Sequence, residues 1–376
     1  MIKNNPEAAK NFAQNSMYYD ARVDAGLKVL AKACKQSTNT EVQRLRRMRE
    51  LFGGKYQYPN VEELKKYQGH LPLPVIFEFI LGLAAGKLRG YGYRTVGCNK
   101  SPELTHSQWL ALLLQGAAKL LLENNGQPKD VKTLGELARL SYPRPEELAN
   151  YEQNVTMMLV GLVPKAEHAR LQVFFNPRMG DPTGYDRQLD AMLRCVECDP
   201  PNFARHMYDY VYQDGVSLYG VGVEFDPQAP PRTLIYFLFD RAQTADMING
   251  LSRLFTFAGA AGEQEIQRAT TSLDTAISTL GEKFIKSQIE LAIILQQEKL
   301  PQLKYSVMLH ERDTLTALTR IVQSQHCSMR EIKDLVKAVS RRTTKAVVIS
   351  EAIHSVALQL FADKPARIDI TCNVPL

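Results

Sequence analysis

Apolar residues recur at three- and four-residue spacing in the first and last thirds of the chain, and this pattern restricts the fold more than any other feature. Such spacing places apolar side chains on one face of an α-helix. It predicts helices within 6–50, over 274–298 and over 344–361, and a buried helix in the apolar segment 75–88. On the 274–298 helix, the shared face carries Ile277, Leu280, Phe284, Leu291 and Leu295.

Two capping boxes support further helices. Thr105 precedes Gln108, and Ser328 precedes Glu331, each just ahead of an apolar-periodic stretch. In this motif the hydroxyl and the longer polar side chain satisfy free backbone donors at a helix start. The boxes predict helices from 105 to about 122 and from 328 to 339.

The middle of the chain is richer in β-branched and aromatic residues. Segments 216–225 and 232–239 flank the turn-forming run 226–231, which predicts a β-hairpin. Shorter strands are predicted at 171–175 and 367–372.

These elements together predict a mainly α protein with two helical lobes and a small β-hairpin or sheet in the middle. The expected division is a basic helical lobe at 1–165, an acidic α/β segment at 166–245 and a second helical lobe at 246–376.

Composition and cysteine usage predict an intracellular protein that does not enter a membrane. The first twelve residues lack the apolar run of a signal peptide, and the longest apolar stretch is too short for a bilayer span. Six cysteines are scattered through 376 residues, which is typical of reduced thiols in such a chain.

Charge is unevenly distributed along the chain. Residues 1–130 contain 19 basic and 11 acidic side chains, whereas residues 131–240 contain 10 basic and 15 acidic ones. A basic first third beside an acidic middle favours a surface that faces a polyanion, or self-association between unlike patches.

The segment 87–100 combines cations, tyrosines and glycines without an acidic residue. Cations neutralise phosphates, and tyrosine rings offer a stacking face for unpaired bases. The residues predicted to contact nucleic acid here are Lys87, Arg89, Tyr91, Tyr93, Arg94 and Lys100.

Two other basic groups could extend the same surface. Arginine suits bidentate phosphate contact. The first group lies on a predicted helix, and the second begins on the helix predicted at 328–339 and continues beyond it. The two groups comprise Arg44, Arg46, Arg47, Arg49, Lys337, Arg341, Arg342 and Lys345.

Other chemistry has weaker support. Cys195 and Cys198 have zinc-ligand spacing but lack a second pair, so two reduced cysteines near a helix end are expected. Magnesium-binding carboxylates (candidates Asp186, Asp190 and Glu197 among them) lack a focused spacing. Phosphate-loop, nucleophile-elbow and zinc-protease motifs are absent from the sequence. We therefore expect neither a metal, a cofactor nor enzymatic activity.

In general plan the basic helical lobe, the Gly-Tyr segment and the second helical lobe resemble the nucleoproteins of negative-strand RNA viruses. The resemblance implies two lobes that clamp single-stranded RNA in a basic cleft, without sequence readout, and terminal arms (1–15 and 362–376) that link subunits. The expected partners are single-stranded RNA and further copies of the chain, in the cytoplasm or a virion. Three alternatives remain: a helix-turn-helix DNA-binding regulator using 328–361, a self-assembling structural protein without nucleic acid, and an enzyme with an unrecognised site that involves Asp186, Asp190, Glu197 or Asp209.

Overall fold

The computed structural model describes most of the chain in separate stretches. They are residues 23–52, 78–84, 87–98, 105–150, 156–176, 185–198, 216–240, 285–297, 302–309, 353–361 and 367–373, with isolated positions at 271, 274, 275, 277, 278, 281, 299, 319, 330 and 332–334.

Strands come in pairs along the chain, and three of the described helices lie between pairs. The helices are α1 (23–33), α2 (Thr38–Phe52), α3 (His106–Glu123), α4 (Pro128–Ser141) and α5 (Tyr185–Cys195), with a 3₁₀ helix at Pro145–Asn150. The strands are β1 (Glu78–Ala84), β2 (Lys87–Cys98), β3 (Thr156–Pro164), β4 (Ala169–Phe175), β5 (Val216–Asp226), β6 (Ala229–Asp240), β7 (Ile285–Gln296), β8 (Gln302–Leu309), β9 (Ile353–Phe361) and β10 (Arg367–Asn373).

The ten strands form one closed antiparallel barrel in which every strand pairs with its neighbours in sequence. Closure comes from β1, which pairs with β2 on one side and with β10 on the other. Strand direction alternates around the barrel, so the short connections within the five pairs (β1 to β2, β3 to β4, and so on) share one end of the barrel. We call it the hairpin end. Helices α3 and α4 lie in the segment between β2 and β3, and α5 lies between β4 and β5.

Alternate residues of each strand face opposite sides of the barrel wall. The outward set is almost wholly apolar and buried, as in Val223 and Phe225 of β5 and Ile235, Phe237 and Phe239 of β6. The inward set carries glycines and charged side chains. The hydrophobic core is therefore the layer between the outside of the barrel and the helices, while the lumen is polar.

The helices pack on the outside of the wall. The Tyr93 hydroxyl of β2 lies 3.4 Å from the Glu41 carboxylate of α2. The Tyr142 hydroxyl, just after α4, accepts a hydrogen bond from the Asn176 backbone N–H at 3.0 Å. The Tyr142 ring also meets Phe175 of β4 edge-on. No helix among the described residues is long and apolar enough to cross a membrane.

The prediction of a mainly α protein with two helical lobes is wrong, since the central structure is a ten-strand barrel. Strands of all three predicted segments (1–165, 166–245 and 246–376) enter that barrel. The predicted helix at 75–88 covers β1 and the start of β2, and the predicted helices at 274–298 and 344–361 end in β7 and β9.

Apolar residues on both faces caused the error in β7. Ile289, Leu291 and Leu295 point outward, but Ala292 and Ile294 of the inward set are apolar too. A strand that is apolar on both faces loses its two-residue alternation, and helical spacing then fits by chance.

Local turn and cap chemistry was predicted correctly. The Thr105–Gln108 capping box opens α3 with both reciprocal hydrogen bonds present. The hairpin of β5 and β6 is confirmed, although its link is Pro227–Gln228 and not the six residues expected. The strand predicted at 171–175 lies within β4, and the one predicted at 367–372 lies within β10.

Glu41 gives a pH-dependent contribution to stability. It is 2% exposed, and burial raises its pKa despite the opposing effect of its partner Arg44. Because the folded-state pKa exceeds the unfolded one, the stability that Glu41 contributes is present below the unfolded pKa and is lost as pH rises through the folded value. The unfolding temperature of Glu41→Gln relative to that of the wild type should therefore be higher at pH 7 than at pH 4. A constant difference across this range would contradict the burial argument.

Candidate functional site in the barrel lumen

The lumen is wider than that of barrels with fewer strands. Eight strands make a barrel that side chains nearly fill, and the diameter grows with strand number. Here ten strands enclose the lumen, and several inward positions are glycine. A Cβ added at Gly90 or Gly220 would meet nothing within 4 Å among the described residues. These positions leave open space inside the wall.

Two aromatic rings meet over the glycines of β5. The rings of Phe174 on β4 and Tyr236 on β6 lie 5.6 Å apart at an interplanar angle of 59°. They come together because Gly222 between them has no side chain: a Cβ there would lie 2.3 Å from the Phe174 ring. Gly220, which pairs with Tyr236 in the sheet, leaves the space beside this aromatic pair unfilled.

Charged groups from several strands surround Tyr236. Burial, followed by the carboxylates of Glu290 on β7 and Glu224 on β5, raises the pKa of its phenol, and Arg94 on β2 acts in the opposite direction. Strands β2 and β6 are not neighbours in the barrel, so Arg94 and Tyr236 influence each other across the lumen. The phenol stays protonated and offers a hydrogen-bond donor at neutral pH.

Lys304 of β8 is the cation that lies against the aromatic pair. Its Nζ is 5.3 Å from the centroid of the Tyr236 ring, which is cation–π distance. Burial lowers the pKa of Lys304, while the Glu290 and Asp369 carboxylates partly offset that effect. The ammonium is thus poorly solvated, and a bound anion would gain strongly from contact with it.

A tightly bonded acidic residue lies beside these groups. The Glu224 carboxylate is 1% exposed and accepts hydrogen bonds from Arg170 at 2.5 Å and from Gln172 at 2.6 Å. The Nε of Arg232 on β6 lies 2.7 Å from the same carboxylate. Two arginines of different strands are therefore held next to each other in the lumen by one carboxylate.

The β10 side of the lumen adds another arginine. Arg367 pairs with Asp369 two residues along the strand. Its guanidinium lies over Gly82 of β1, where a Cβ would come within 2.0 Å of it. Glycine at this position lets the guanidinium lie against the wall. Next to it, the Ser306 hydroxyl lies 2.9 Å from the Glu290 carboxylate and 3.1 Å from the Gln359 side chain.

The basic side chains share one end of the lumen. Arg170 and Arg367 lie in the first two positions of their strands, and Lys304 and Arg232 lie within four, all at the hairpin end. Arginine forks and a lysine converging on one space are suited to an anion with several oxygens, such as a diphosphate. Below them lie the aromatic pair and the open space at Gly220.

Among the residues predicted to bind RNA, those that the structure describes do not meet in one groove. Tyr91 and Tyr93 are 2% and 0% exposed and point outward beneath the helices, so they cannot stack on bases. Of that segment, Arg94 faces the lumen, whereas Lys87 and Arg89 are exposed at the hairpin end of β2.

The arginines predicted on α2 are engaged by acidic partners. Arg44 pairs with Glu41, Arg46 with Asp24, and Arg47 with both Glu50 and Glu123. The side chain of Arg49 lies outside the described residues, as do Lys100, Lys337, Arg341, Arg342 and Lys345.

The described residues contain no cluster that could hold a metal ion. Cys195 ends α5, Cys198 is buried nearby, and both are free thiols whose pKa burial raises. Of the acidic residues considered for magnesium, Asp190 pairs with Arg194 on α5.

Sequence reasoning missed Arg170, Arg232, Lys304 and Arg367. Each is the lone cation of its strand, at a position that alternates with the outward-facing residues. A charge at an inward position of a buried strand is costly unless it has a partner or a ligand. That signal was available only once the segments were recognised as strands.

Solved structures share this fold over nearly the whole chain. The chain is similar to 5-dimethylallyltryptophan synthase from Streptomyces coelicolor, with 14% identity, coverage of 95% of this chain and 97% of that one, and a TM-score of 0.67. It is also similar to the prenyltransferase PriB, solved with L-tryptophan and dimethylallyl thiolodiphosphate, at 14% identity, coverage of 95% and 96%, and a TM-score of 0.66.

A third similar structure is 6-dimethylallyltryptophan synthase from Micromonospora olivasterospora, at 11% identity, coverage of 95% and 97%, and a TM-score of 0.66. No family model matches the chain, and no curated protein matches it by sequence. At these identities the likeness establishes the barrel fold.

The barrel overturns the resemblance to viral nucleoproteins, because the described residues form a ten-strand barrel where two helical lobes were expected, and prenyltransferases share this fold. The expected coating of single-stranded RNA, and RNA as a partner, are contradicted by the same finding. The regulator and structural-protein alternatives gain no support. The prediction of a protein without enzymatic activity is also contradicted, since these structural neighbours are enzymes.

Proposed function

We propose that this chain is an aromatic prenyltransferase that moves a dimethylallyl group from its diphosphate to an electron-rich aromatic ring inside the barrel. The observation that carries the proposal is the stack of Lys304, Tyr236 and Phe174 beneath the arginines of the hairpin end. That arrangement provides an anion site directly against an aromatic surface. Solved proteins with this fold bind tryptophan and a dimethylallyl diphosphate analogue, which supports both substrate classes.

The cations of the hairpin end would hold the diphosphate. When the allylic C–O bond breaks, its electron pair stays on the diphosphate, whose negative charge increases. Lys304, Arg232 and Arg367 lie where that charge develops, and fixed cations in a poorly solvated site stabilise it more than water does. This contribution lowers the barrier to ionisation.

The aromatic pair would stabilise the other product of ionisation. The allyl group becomes a carbocation, and the faces of Tyr236 and Phe174 attract positive charge through their ring quadrupoles. The closed wall limits access of water, which would otherwise capture the cation as an alcohol. The open space beside Gly220 leaves room for hydrocarbon next to these rings.

Transfer is completed on the acceptor. A ring carbon of the acceptor gives its electron pair to the allyl carbon, a C–C bond forms, and the ring proton must then leave. We assign the proton to Glu290, which faces the lumen near Tyr236 and is oriented by the Ser306 hydroxyl at 2.9 Å. Glu224 is less suitable because two arginines and Gln172 occupy its oxygens.

The test is an incubation of the purified full chain with dimethylallyl diphosphate and L-tryptophan, analysed by mass spectrometry. We expect a product in which one acceptor hydrogen is replaced by a dimethylallyl group, and release of one diphosphate per product. Indole, tyrosine and a dihydroxynaphthalene serve as further acceptors. Glu290→Gln should slow transfer while leaving the binding of dimethylallyl diphosphate unchanged.

Lack of product with every acceptor, together with no diphosphate release above that of a boiled sample, would contradict the proposal. Release of dimethylallyl alcohol and diphosphate alone would support the donor site and reject the acceptors tested.

A further inference from the structure

The environment of Glu224 is unusual for a site that receives an anion. Its carboxylate accepts hydrogen bonds from Arg170 and Gln172, forms an ion pair with Arg232 at 2.7 Å, and is almost completely inaccessible to solvent. Asp226 lies 4.0 Å from the Arg170 guanidinium and also contacts His168. The two arginines that flank the lumen at this point are therefore already neutralised by the protein itself.

A carboxylate between two guanidiniums presents the same acceptors as one edge of a phosphate. Without it, Arg170 and Arg232 would be two like charges side by side in a poorly solvated site, which is costly. With it, an incoming diphosphate has to compete with Glu224 for the same donors. Lys304, which lies against the Tyr236 ring, and Arg367 reach the lumen from other strands and do not contact Glu224.

We propose that Glu224 is an internal competitor for the diphosphate: it occupies Arg170 and Arg232 in the empty lumen and weakens the hold of these arginines on the diphosphate left after transfer. The inference rests on the proposed function and concerns product release at the same site. Glu224 acts through the arginines and is a positioning residue, not a catalytic one. The covalent steps remain those of prenyl transfer.

This competition affects binding of the donor less than it affects retention of the free diphosphate. The donor arrives with a hydrocarbon tail that the aromatic pair and the Gly220 space can bind, so it displaces Glu224 more readily than free diphosphate does. After transfer the tail belongs to the acceptor, and diphosphate alone must keep the arginines from Glu224. The carboxylate then rebinds them and diphosphate leaves.

The experiment measures the affinity of inorganic diphosphate for the full chain by titration calorimetry, with Glu224→Gln beside the wild type. We expect the variant to bind diphosphate about ten to a hundred times more tightly, the range that charged hydrogen bonds contribute. In steady-state kinetics kcat should fall, with a burst of product in the first turnover, and KM for the donor should fall as well.

The matched control is Glu136→Gln on α4. It removes the same charge from a carboxylate that pairs with an arginine, Arg139, at 2.9 Å, but outside the lumen. Its diphosphate affinity should equal that of the wild type. Glu224→Asp keeps the charge on a shorter side chain and should give an affinity between those of the wild type and the glutamine variant.

Loss of Glu224 also leaves two partly buried arginines without the carboxylate that they share, so the free variant should unfold at a lower temperature. Unfolding is therefore followed with and without diphosphate. We expect diphosphate to raise the unfolding temperature of Glu224→Gln by more than it raises that of the wild type. A merely structural role would lower the unfolding temperature without enlarging the effect of diphosphate.

Equal or weaker diphosphate binding by Glu224→Gln would overturn the inference and show that Glu224 only orders the arginines. Because the binding measurement needs no turnover, it is independent of the proposed reaction. Tighter binding without any prenyl transfer would leave this inference standing while rejecting the proposed function. Prenyl transfer by the wild type, with equal or weaker diphosphate binding by Glu224→Gln, would reject this inference and leave the proposed function standing.

Discussion

Replacing Lys304 with methionine should reduce prenyl transfer by at least about a hundredfold, the usual cost of removing one donor that stabilises charge in a transition state. The Nζ of Lys304 lies 5.3 Å from the Tyr236 ring centroid, between the aromatic pair and the cations of the hairpin end. Methionine keeps the length and packing of the side chain but cannot meet the charge on the leaving diphosphate.

The pH dependence of kcat/KM provides a second test of Lys304. Burial lowers the pKa of Lys304 below that of an ordinary lysine, so its ammonium is lost at lower pH. Donor binding should therefore weaken as pH rises through that lowered pKa. Lys304→Arg keeps its charge to higher pH, and the alkaline decline of kcat/KM should shift upward or disappear.

Rates for Lys304→Met and Lys304→Arg should be measured between pH 6 and pH 10 with far-UV circular dichroism as a check of folding. A methionine variant that is well folded and retains more than a tenth of the activity would reject a role for Lys304 in stabilising the diphosphate. Identical alkaline limbs in the wild type and the arginine variant would assign that limb to another group.

The sequence predicted those elements whose signal is local. The capping box at Thr105 and the turn between β5 and β6 depend on a few neighbouring residues, and both were recognised. Strands β7 and β9 depend on what their two faces meet after folding. Their inward faces mix Glu290 with Ala292 and Ile294, or Gln359 with Ala357, so neither shows a clean alternation.

The site could not be derived because it is assembled from distant strands. Arg94, Glu224, Tyr236 and Lys304 influence one another only after the barrel closes. The basic segment at 87–100 attracted attention through its composition, yet the direction of each side chain decides its role. Tyr93 faces α2 and is buried, whereas Arg94, the next residue, faces the lumen. A difference of one position along the strand therefore decides whether a side chain packs against the helices or faces the lumen.

Two adjacent residues of β6 should therefore have separable effects. Phe237 faces outward and is 0% exposed between the wall and the helices, so Phe237→Ala should cost about 3–5 kcal/mol of unfolding free energy through lost burial and a cavity. Tyr236 faces the lumen, where its ring meets Lys304 and Phe174. Tyr236→Leu removes the ring face that would stabilise the allyl carbocation. It should lower kcat by about thirtyfold, since a desolvated cation–π contact is worth about 2 kcal/mol.

Chemical denaturation and steady-state rates of both variants check this separation. Tyr236→Phe keeps the ring and should retain most of the rate, which distinguishes the ring face from the phenol hydroxyl. In Phe237→Ala, the fraction that remains folded should turn over at close to the wild-type rate, because the lumen side of the strand is unchanged. Because the two residues face opposite sides of the wall, the substitution of Phe237 should change stability and the substitution of Tyr236 should change the rate. Both variants losing rate without losing stability would place Phe237 in the lumen and contradict the register of β6 on which the site is built.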